Sequence, residues 1–495
     1  MRTIFSLRRV MTLGLCLVGF AAACGGEPAE PLDDPALAAA IEADLEKFDS
    51  NPQAFLNTLP TKTMTAPVPF FSNAVIADKT FVEAKNSVIR QDPTADAPGA
   101  NDQARNLVDS LALTKLEDMH TLRAVNLDES PWSDDYWGLY AGSTAKRYAD
   151  PGHKITDDWK ANTDYVRNMQ PVSTDHLSPA EKYDLLVGDA NKTLTKYNLD
   201  TGKPYFQTYG KVETWMGICH GWAPAAFMVP RPQKAITVTA ADGVTKIKFY
   251  PSDIKALASE LWATTSPRVK FIGGRCNTKM PAVDSIGRIK DPACRDTNAG
   301  TWHLAVVNQI GKAKRSMVLD ATFDYEVWNQ PVYGYDYNYF NPKTKKTYKT
   351  LSYAKVAVAD FAEDKFKPYR APGTTHIVGV AMNVKWVVET QPSQFTPDSP
   401  SRDAISGARY LYTLELDANG NIIGGEWLQN AHPDFLWTSP AGTKATASNE
   451  FEAAVVNWDG TTAVPQSWRT AAARASAVGS PLGIIVESLT KLARQ

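Results

Sequence analysis

An uncharged apolar run near the amino terminus limits which part of the chain can belong to the fold. Residues 10–23 carry no charge, follow Arg8 and Arg9, and end in three alanines before Cys24. The run is too short for a membrane-spanning helix, which needs about 20 residues. This pattern is typical of a bacterial lipoprotein signal, so we expect residues 1–23 to be removed and Cys24 to carry the lipid. The alternative is an ordinary secretory signal that leaves Cys24 as a bystander thiol.

Export would place the folded chain in an oxidising compartment, where cysteines tend to pair. Cys16 leaves with the signal, and three cysteines remain beyond Cys24. Cys276 and Cys294 lie near one another in loop-like sequence, so we predict a disulfide between them. That pairing leaves Cys219 as a solitary thiol, either buried and inert or reactive.

The charge balance excludes two classes of partner. Lys and Arg total 52 against 54 Asp and Glu, which gives a formal net charge of −2. The chain has no excess of basic residues that would indicate a nucleic-acid partner, or membrane binding beyond the lipid anchor. Hydrophobic residues make up 43% of the chain, as in an ordinary globular protein.

The order of predicted elements favours an α+β fold, because helices precede strands instead of alternating with them. Helices are expected at 35–48, which Asp33 and Asp34 can cap, and at 102–118. Another begins at Ser178, where Ser178 and Glu181 fit a capping box, and Ser252 is expected to cap a helix that runs to 264. Two short helices are expected at 468–494. Hairpins are expected at 235–250 and 410–427. We divide the chain into a signal (1–23), a tether with a helix (24–60), a main domain (61–440) and a C-terminal helical extension (441–495).

The segment 215–227 holds the solitary thiol, Cys219. Pro224 is tolerated only near the start of a helix, so a helix here should begin near Cys219. The positive end of a helix dipole favours a thiolate. The alternative is a structural cysteine buried among aromatic residues. The adjacent His220 is a poor base for this thiol, since neighbouring helical side chains diverge.

A base and its orienting group are expected downstream of the thiol. Residues 301–310 alternate as in a strand that begins at His303, and residues 316–320 form a return strand that ends at Asp320. A two- or four-residue turn would place His303 and Asp320 on one face of the hairpin. Asp324 has the same parity and is the second candidate. The predicted relay is therefore Cys219, His303 and Asp320.

Several segments resemble a known family. The sequence Val-Trp-Asn-Gln-Pro-Val at 327–332 is the most specific, and 215–227, 301–310 and 131–137 add to it. Together they resemble the transglutaminase elicitor family, the cell-wall transglutaminases of oomycetes and their bacterial relatives, over residues 60–440. Tyr333 stands where the eliciting peptide has a basic residue, so elicitor activity is not carried over.

The resemblance implies a papain-like or transglutaminase-like core, with the nucleophilic cysteine at a helix N-terminus packed on an antiparallel sheet. It implies acyl transfer from protein-bound glutamine to lysine or a small primary amine, with Cys219 as nucleophile, His303 as base and Asp320 as orienter. The Cys219 backbone N–H is a candidate oxyanion donor, and the Trp215 indole N–H is a candidate second donor, with a core aromatic as the alternative for Trp215. Further tryptophans are candidates for an apolar substrate tunnel: Trp132, Trp137, Trp222, Trp302 and Trp328.

Two other functions stay open at this point. One is a cysteine peptidase or amidase that uses the same relay, and the other is a noncatalytic surface lipoprotein. Metal dependence stays open: no segment has the ligand spacing of a calcium loop, so we assign no metal ligands, while the resemblance allows calcium as a cofactor. We expect an exported protein, either anchored in the cell envelope or secreted.

Overall fold

The computed structural model describes residues 30–64, 102–276, 278, 281–295, 297–322 and 326–495. The signal, Cys24 and Asp324 lie outside these residues. No described helix is both long and apolar enough to cross a membrane. The helices are α1 Pro35–Ser50, α2 Pro52–Leu56, α3 Trp159–Asn168, α4 Pro179–Val187, α5 Thr193–Asp200, α6 Lys203–Tyr209, α7 Cys219–Met228, α8 Pro251–Thr264, α9 Ala299–Val306, α10 Leu351–Ala354, α11 Gln466–Ser476 and α12 Gly483–Leu492.

The strands are β1 Thr61–Met64, β2 Ala124–Asn126, β3 Ile236–Thr239, β4 Lys246–Phe249, β5 Lys270–Gly273, β6 Val318–Asp320, β7 Asn329–Phe340, β8 Thr347–Tyr348, β9 Lys355–Ala357, β10 His376–Val388, β11 Ala404–Leu416, β12 Ile422–Trp427 and β13 Phe435–Thr438. The main sheet runs β1-β11-β10-β7-β6-β13-β5, with β12 on β11, β9 on β10, and β2 and β8 on β7. The pairings among the described strands are antiparallel. This is the α+β architecture that the sequence predicts.

Two hydrophobic cores lie on opposite sides of the β13–β6–β7 part of the sheet. Val318 packs with the core that holds Cys219 and helices α4, α7 and α8. The next residue, Leu319, packs with the core that holds α9. Because side chains alternate along a strand, Asp320 has the same parity as Val318 and lies on the side of Cys219. This layer of sheet therefore separates α7 from α9.

Both ends of the described chain pack on this framework. Ile41 and Leu45 of α1 lie with Phe340 and Leu411 in a third core on the main sheet. The C-terminal residues 441–495 bring Trp468 and other apolar side chains into the core that holds Cys219. The helices outside the predicted main domain are thus packed against it.

Most of the predicted local elements are confirmed. Asp34 caps α1 by accepting hydrogen bonds from two backbone N–H groups. At α4 both bonds of the Ser178–Glu181 capping box are present. The two predicted hairpins form as β3–β4 and β11–β12, and the two C-terminal helices form as α11 and α12.

Two predictions about helix formation are wrong in part. Residues 102–118 contain only short 3₁₀ turns, at Ala104–Asn106 and from Glu117. Side-chain amides of Asn308 and Gln309 accept hydrogen bonds from backbone N–H groups of this segment, so its backbone is satisfied without a helix. At α8 the cap is the Asp253 carboxylate, which accepts from the Tyr250 N–H, in place of Ser252.

The strand predicted at 301–310 is also wrong. These residues form α9 and a π-helical turn, Val307–Lys312. Trp302, Ala305, Val306 and Ile310 are all buried at helical spacing, and the segment is apolar on most sides. An apolar run of this kind fits a period of two as well as a helical period, so alternation alone misassigned it.

Candidate active site

Cys219 is the first residue of α7 and opens onto a cavity of about 860 Å³. Helix α7 crosses α8 closely, because Gly221 has no side chain: a Cβ there would lie 2.2 Å from the Ser259 carbonyl oxygen. The cavity wall is formed by the ends of several elements, and its lining includes Leu139, Tyr197, Trp215, His220, Glu260, Arg275, Val327 and Asn329. Cys219 is the free cysteine among the described residues.

Two polar groups contact the Cys219 sulfur at the edge of the hydrophobic core. The thiol donates to the Val327 carbonyl oxygen at 3.7 Å, and Asn329 Nδ2 donates to Sγ at 3.5 Å. Burial raises the pKa of the Cys219 thiol to about 11, although hydrogen bonds from Asn329 oppose the shift and the Glu389 and Asp320 carboxylates add to it. At neutral pH the group is therefore a protonated thiol.

Asn329 is a residue of the site that sequence reasoning missed. Its Oδ1 accepts a 2.8 Å hydrogen bond from the Trp437 indole Nε1, while its Nδ2 faces Cys219. Asn329 belongs to the segment 327–332, which the sequence analysis used only to identify the family resemblance. That segment forms the wall of the cavity beside the sulfur.

Asp320 lies at the end of β6, paired with Asn329 across the ladder. Its Oδ1 accepts from the backbone N–H groups of Trp328 and Thr322 and from the Thr322 hydroxyl. Burial raises the pKa of the Asp320 carboxyl to about 7, against a smaller opposing effect of these bonds and of Arg275. Asp320 Oδ2 has no hydrogen-bond partner in the described part of the chain.

A second carboxyl near the thiol, Glu389, had no signal in the sequence. It follows β10, accepts a 2.8 Å hydrogen bond from Gln330 Nε2, and interacts electrostatically with Cys219. Burial raises the pKa of the Glu389 carboxyl to about 7. Two carboxyls that titrate near neutral pH thus act on the same sulfur.

His303 does not reach this site. It lies in α9, on the other side of the sheet, and its Nδ1 is 2.8 Å from the Tyr412 hydroxyl. The ring also packs edge-on against Tyr337, with the ring centroids 4.9 Å apart. Complete burial lowers the pKa of His303 to about 3, so the imidazole is uncharged. The structure therefore brings Cys219 and Asp320 to one side of the sheet and leaves His303 out, because the hairpin expected to join His303 to Asp320 does not form.

The predicted tryptophan tunnel is only partly present. Trp222 and Trp302 are fully buried, in different cores, and neither lines the cavity. Trp132 and Trp137 are also buried. Trp215 lines the cavity, and Trp328 packs on Tyr136 at 5.5 Å between ring centroids. Most of the tunnel candidates are therefore packing residues.

Cys276 and Cys294 form a disulfide next to this wall. It closes the loop that follows Arg275, a residue of the cavity lining that interacts with Asp320. Among the described residues, no group of three or more His, Cys, Asp or Glu side chains is arranged to hold a metal ion.

Comparison with known proteins places the chain in a class. The model of the transglutaminase elicitor family matches residues 109–456, and the protein therefore belongs to this family. Among solved structures it is similar to the crystal structure of the GP42 transglutaminase from Phytophthora sojae, at 22% sequence identity and a TM-score of 0.47. That match covers 74% of this chain and 94% of the other. No curated protein matches the sequence.

Proposed function

We propose that this protein is a thiol acyltransferase of transglutaminase type with Cys219 as the nucleophile. The observation that carries the proposal is the position of the Cys219 thiol: it begins a helix, opens onto a large cavity, and has an amide donor at its sulfur. Membership of the transglutaminase elicitor family supports the same reaction class. The substrates are a protein-bound glutamine and a primary amine, from lysine or a small molecule.

The reaction has two balanced halves. Cys219 Sγ attacks the γ-carboxamide carbon and forms a carbon–sulfur bond. The carbon–nitrogen bond then breaks, the nitrogen takes the thiol proton and leaves as ammonia, and a thioester remains on Cys219. A primary amine then attacks the thioester carbon and the carbon–sulfur bond breaks. The amine loses one proton to the departing sulfur, which gives an isopeptide bond and a free thiol. Water in place of the amine gives deamidation, which is the amidase alternative at the same site.

We assign the proton transfer to the two carboxyls that interact electrostatically with the thiol, Asp320 and Glu389. Asp320 and Glu389 both have pKa values of about 7, and the Cys219 pKa is about 11. Transfer of the thiol proton to either carboxylate therefore costs roughly 5 kcal/mol, at about 1.4 kcal/mol per pKa unit. A cost of this size fits within the barrier of an enzyme with ordinary turnover. We retain Asp320 from the sequence-based relay, add Glu389, and assign His303 a structural role.

Incorporation of a fluorescent primary amine into a glutamine-bearing protein tests the reaction class. We expect wild-type protein to incorporate the amine and Cys219→Ala to lose all incorporation. The assay is run under two conditions, with added calcium and with a chelator. Absence of incorporation under both conditions in folded wild-type protein would contradict the proposal.

The same assay tests the assignment of the proton-handling groups. We expect His303→Gln to keep activity per folded molecule, as should the control His376→Gln on β10. A loss in His303→Gln as deep as that in Cys219→Ala would overturn the carboxylate assignment and require α9 to lie elsewhere in the active protein. Circular dichroism checks that each variant is folded.

We also propose that the protein is exported and anchored through a lipid on Cys24. The apolar run at 10–23 and the small residues before Cys24 support this. Metabolic labelling with a fatty acid should mark the wild-type protein, and Cys24→Ala should lose the label while remaining exported. Equal labelling of the two would contradict the anchor.

A further inference from the structure

We infer that Asn329 and Trp437 form a pair in which the indole sets the orientation of an amide donor aimed at Cys219 and at the oxyanion of acyl transfer. The inference rests on the proposed function and deepens it: Asn329 becomes a catalytic residue, and Trp437 a positioning residue that acts through it.

The orientation follows from the chemistry of the two groups. An indole N–H can only donate, so the Asn329 atom that faces Trp437 Nε1 at 2.8 Å must be the oxygen. The Asn329 Nδ2 is then left to face Cys219 Sγ, at 3.5 Å. Without the indole, the amide could turn and present its oxygen to the sulfur, where it would repel a thiolate.

The charges around the sulfur make this neutral donor important. Burial disfavours the thiolate most, the Glu389 and Asp320 carboxylates add to this effect, and hydrogen bonds from the Asn329 side chain and backbone favour the thiolate. Besides two tyrosines, four other ionisable residues line the cavity, namely Asp200, His220, Glu260 and Arg275. The donor therefore stabilises negative charge on an atom that two neighbouring carboxylates make harder to ionise.

The same donor has a natural partner for the oxyanion. Backbone N–H groups in the first turn of a helix have no acceptor within the helix, and Cys219 is the first residue of the ten-residue α7. On this inference, an oxygen on the carbon attached to Sγ accepts from this N–H and from Asn329 Nδ2, which lies 3.5 Å from Sγ. Two convergent donors of this kind define an oxyanion hole.

Variants at the two positions test the pair. We expect Asn329→Ala to lower kcat for amine incorporation roughly 100-fold with little change in KM, and to move iodoacetamide alkylation of Cys219 to higher pH. The near-isosteric Asn329→Asp should act in the same direction, since a carboxylate cannot donate. Trp437→Phe should have a smaller effect of the same sign, and no further effect when added to Asn329→Ala.

A matched control and two readouts separate the outcomes. Trp458→Phe also removes an indole donor, the 2.8 Å bond to the Thr462 carbonyl oxygen, and should leave both readouts unchanged. An unchanged alkylation profile in Asn329→Ala, or additive effects of the Asn329 and Trp437 variants, would overturn the pair. If wild-type protein incorporates no amine, the proposed function fails, while the alkylation profiles still decide whether the amide is directed at the sulfur.

Discussion

The alkylation rate of Cys219 should rise with pH far beyond the range of an ordinary cysteine. Burial raises the pKa of this thiol from about 9 to about 11. Well below pH 9 the thiolate fraction is then about 100-fold smaller than for an exposed cysteine, at tenfold per pKa unit. A more basic thiolate is also a better nucleophile, with a Brønsted slope of about 0.4–0.5, and this recovers roughly tenfold. The net expectation at pH 7.5 is a rate roughly tenfold below that of the unfolded segment.

The assay follows iodoacetamide modification of the Cys219 peptide by mass spectrometry across pH 6–11. A synthetic peptide of residues 215–227 is the reference, because it carries the same cysteine without the fold. The native rate should increase about tenfold per pH unit through pH 10, while the peptide rate levels off near its ordinary pKa. A native plateau below pH 8 would refute the reasoning, since it would require a cationic partner such as an imidazolium at the sulfur.

Three further predictions concern stability. Asp320 has a folded-state pKa of about 7 against 3.8 when exposed, so its contribution to stability is full below pH 4 and is lost as pH rises to 7. Asp320→Asn should therefore raise the free energy of unfolding by roughly 2–4 kcal/mol at pH 8 and change it little at pH 4. Urea titration at the two pH values measures this difference. Arg147→Met leaves the buried Glu181 carboxylate without its 2.6 Å partner and should cost about 3–5 kcal/mol in the same titration; a loss below 1 kcal/mol would show that water reaches Glu181. Replacing Cys276 and Cys294 by Ser opens a loop of 18 residues and should lower the free energy of unfolding by about 3 kcal/mol; an unchanged denaturation midpoint would contradict this.

Local signals predicted the fold well wherever they involve short-range chemistry. The Ser178–Glu181 capping box and the turn at Asp242 and Gly243 are set by residues a few positions apart, and both form. The segment 102–118 failed because side chains about 200 positions away satisfy its backbone. No pattern within that segment could show this.

The site divides along the same line. The free thiol at Cys219 follows from counting cysteines, its place at the start of a helix follows from Pro224, and Asp320 follows from its strand. His303 could not be placed from sequence, because a segment buried on all sides has no polar face to set its period. The order of strands in the sheet brings Glu389 near the thiol and Trp437 against Asn329, and no local pattern shows this.

Trapping the acyl-enzyme is the most direct test of Cys219 as the acyl carrier. Wild-type protein is mixed with a glutamine peptide in the absence of an acceptor amine, quenched in acid and digested. The mass of the Cys219 peptide is then measured by mass spectrometry. Our account predicts that it gains the mass of the glutamine peptide minus ammonia, and that hydroxylamine removes the adduct. Amine incorporation that continues while the Cys219 peptide carries no adduct, or an adduct on another residue, would contradict the account.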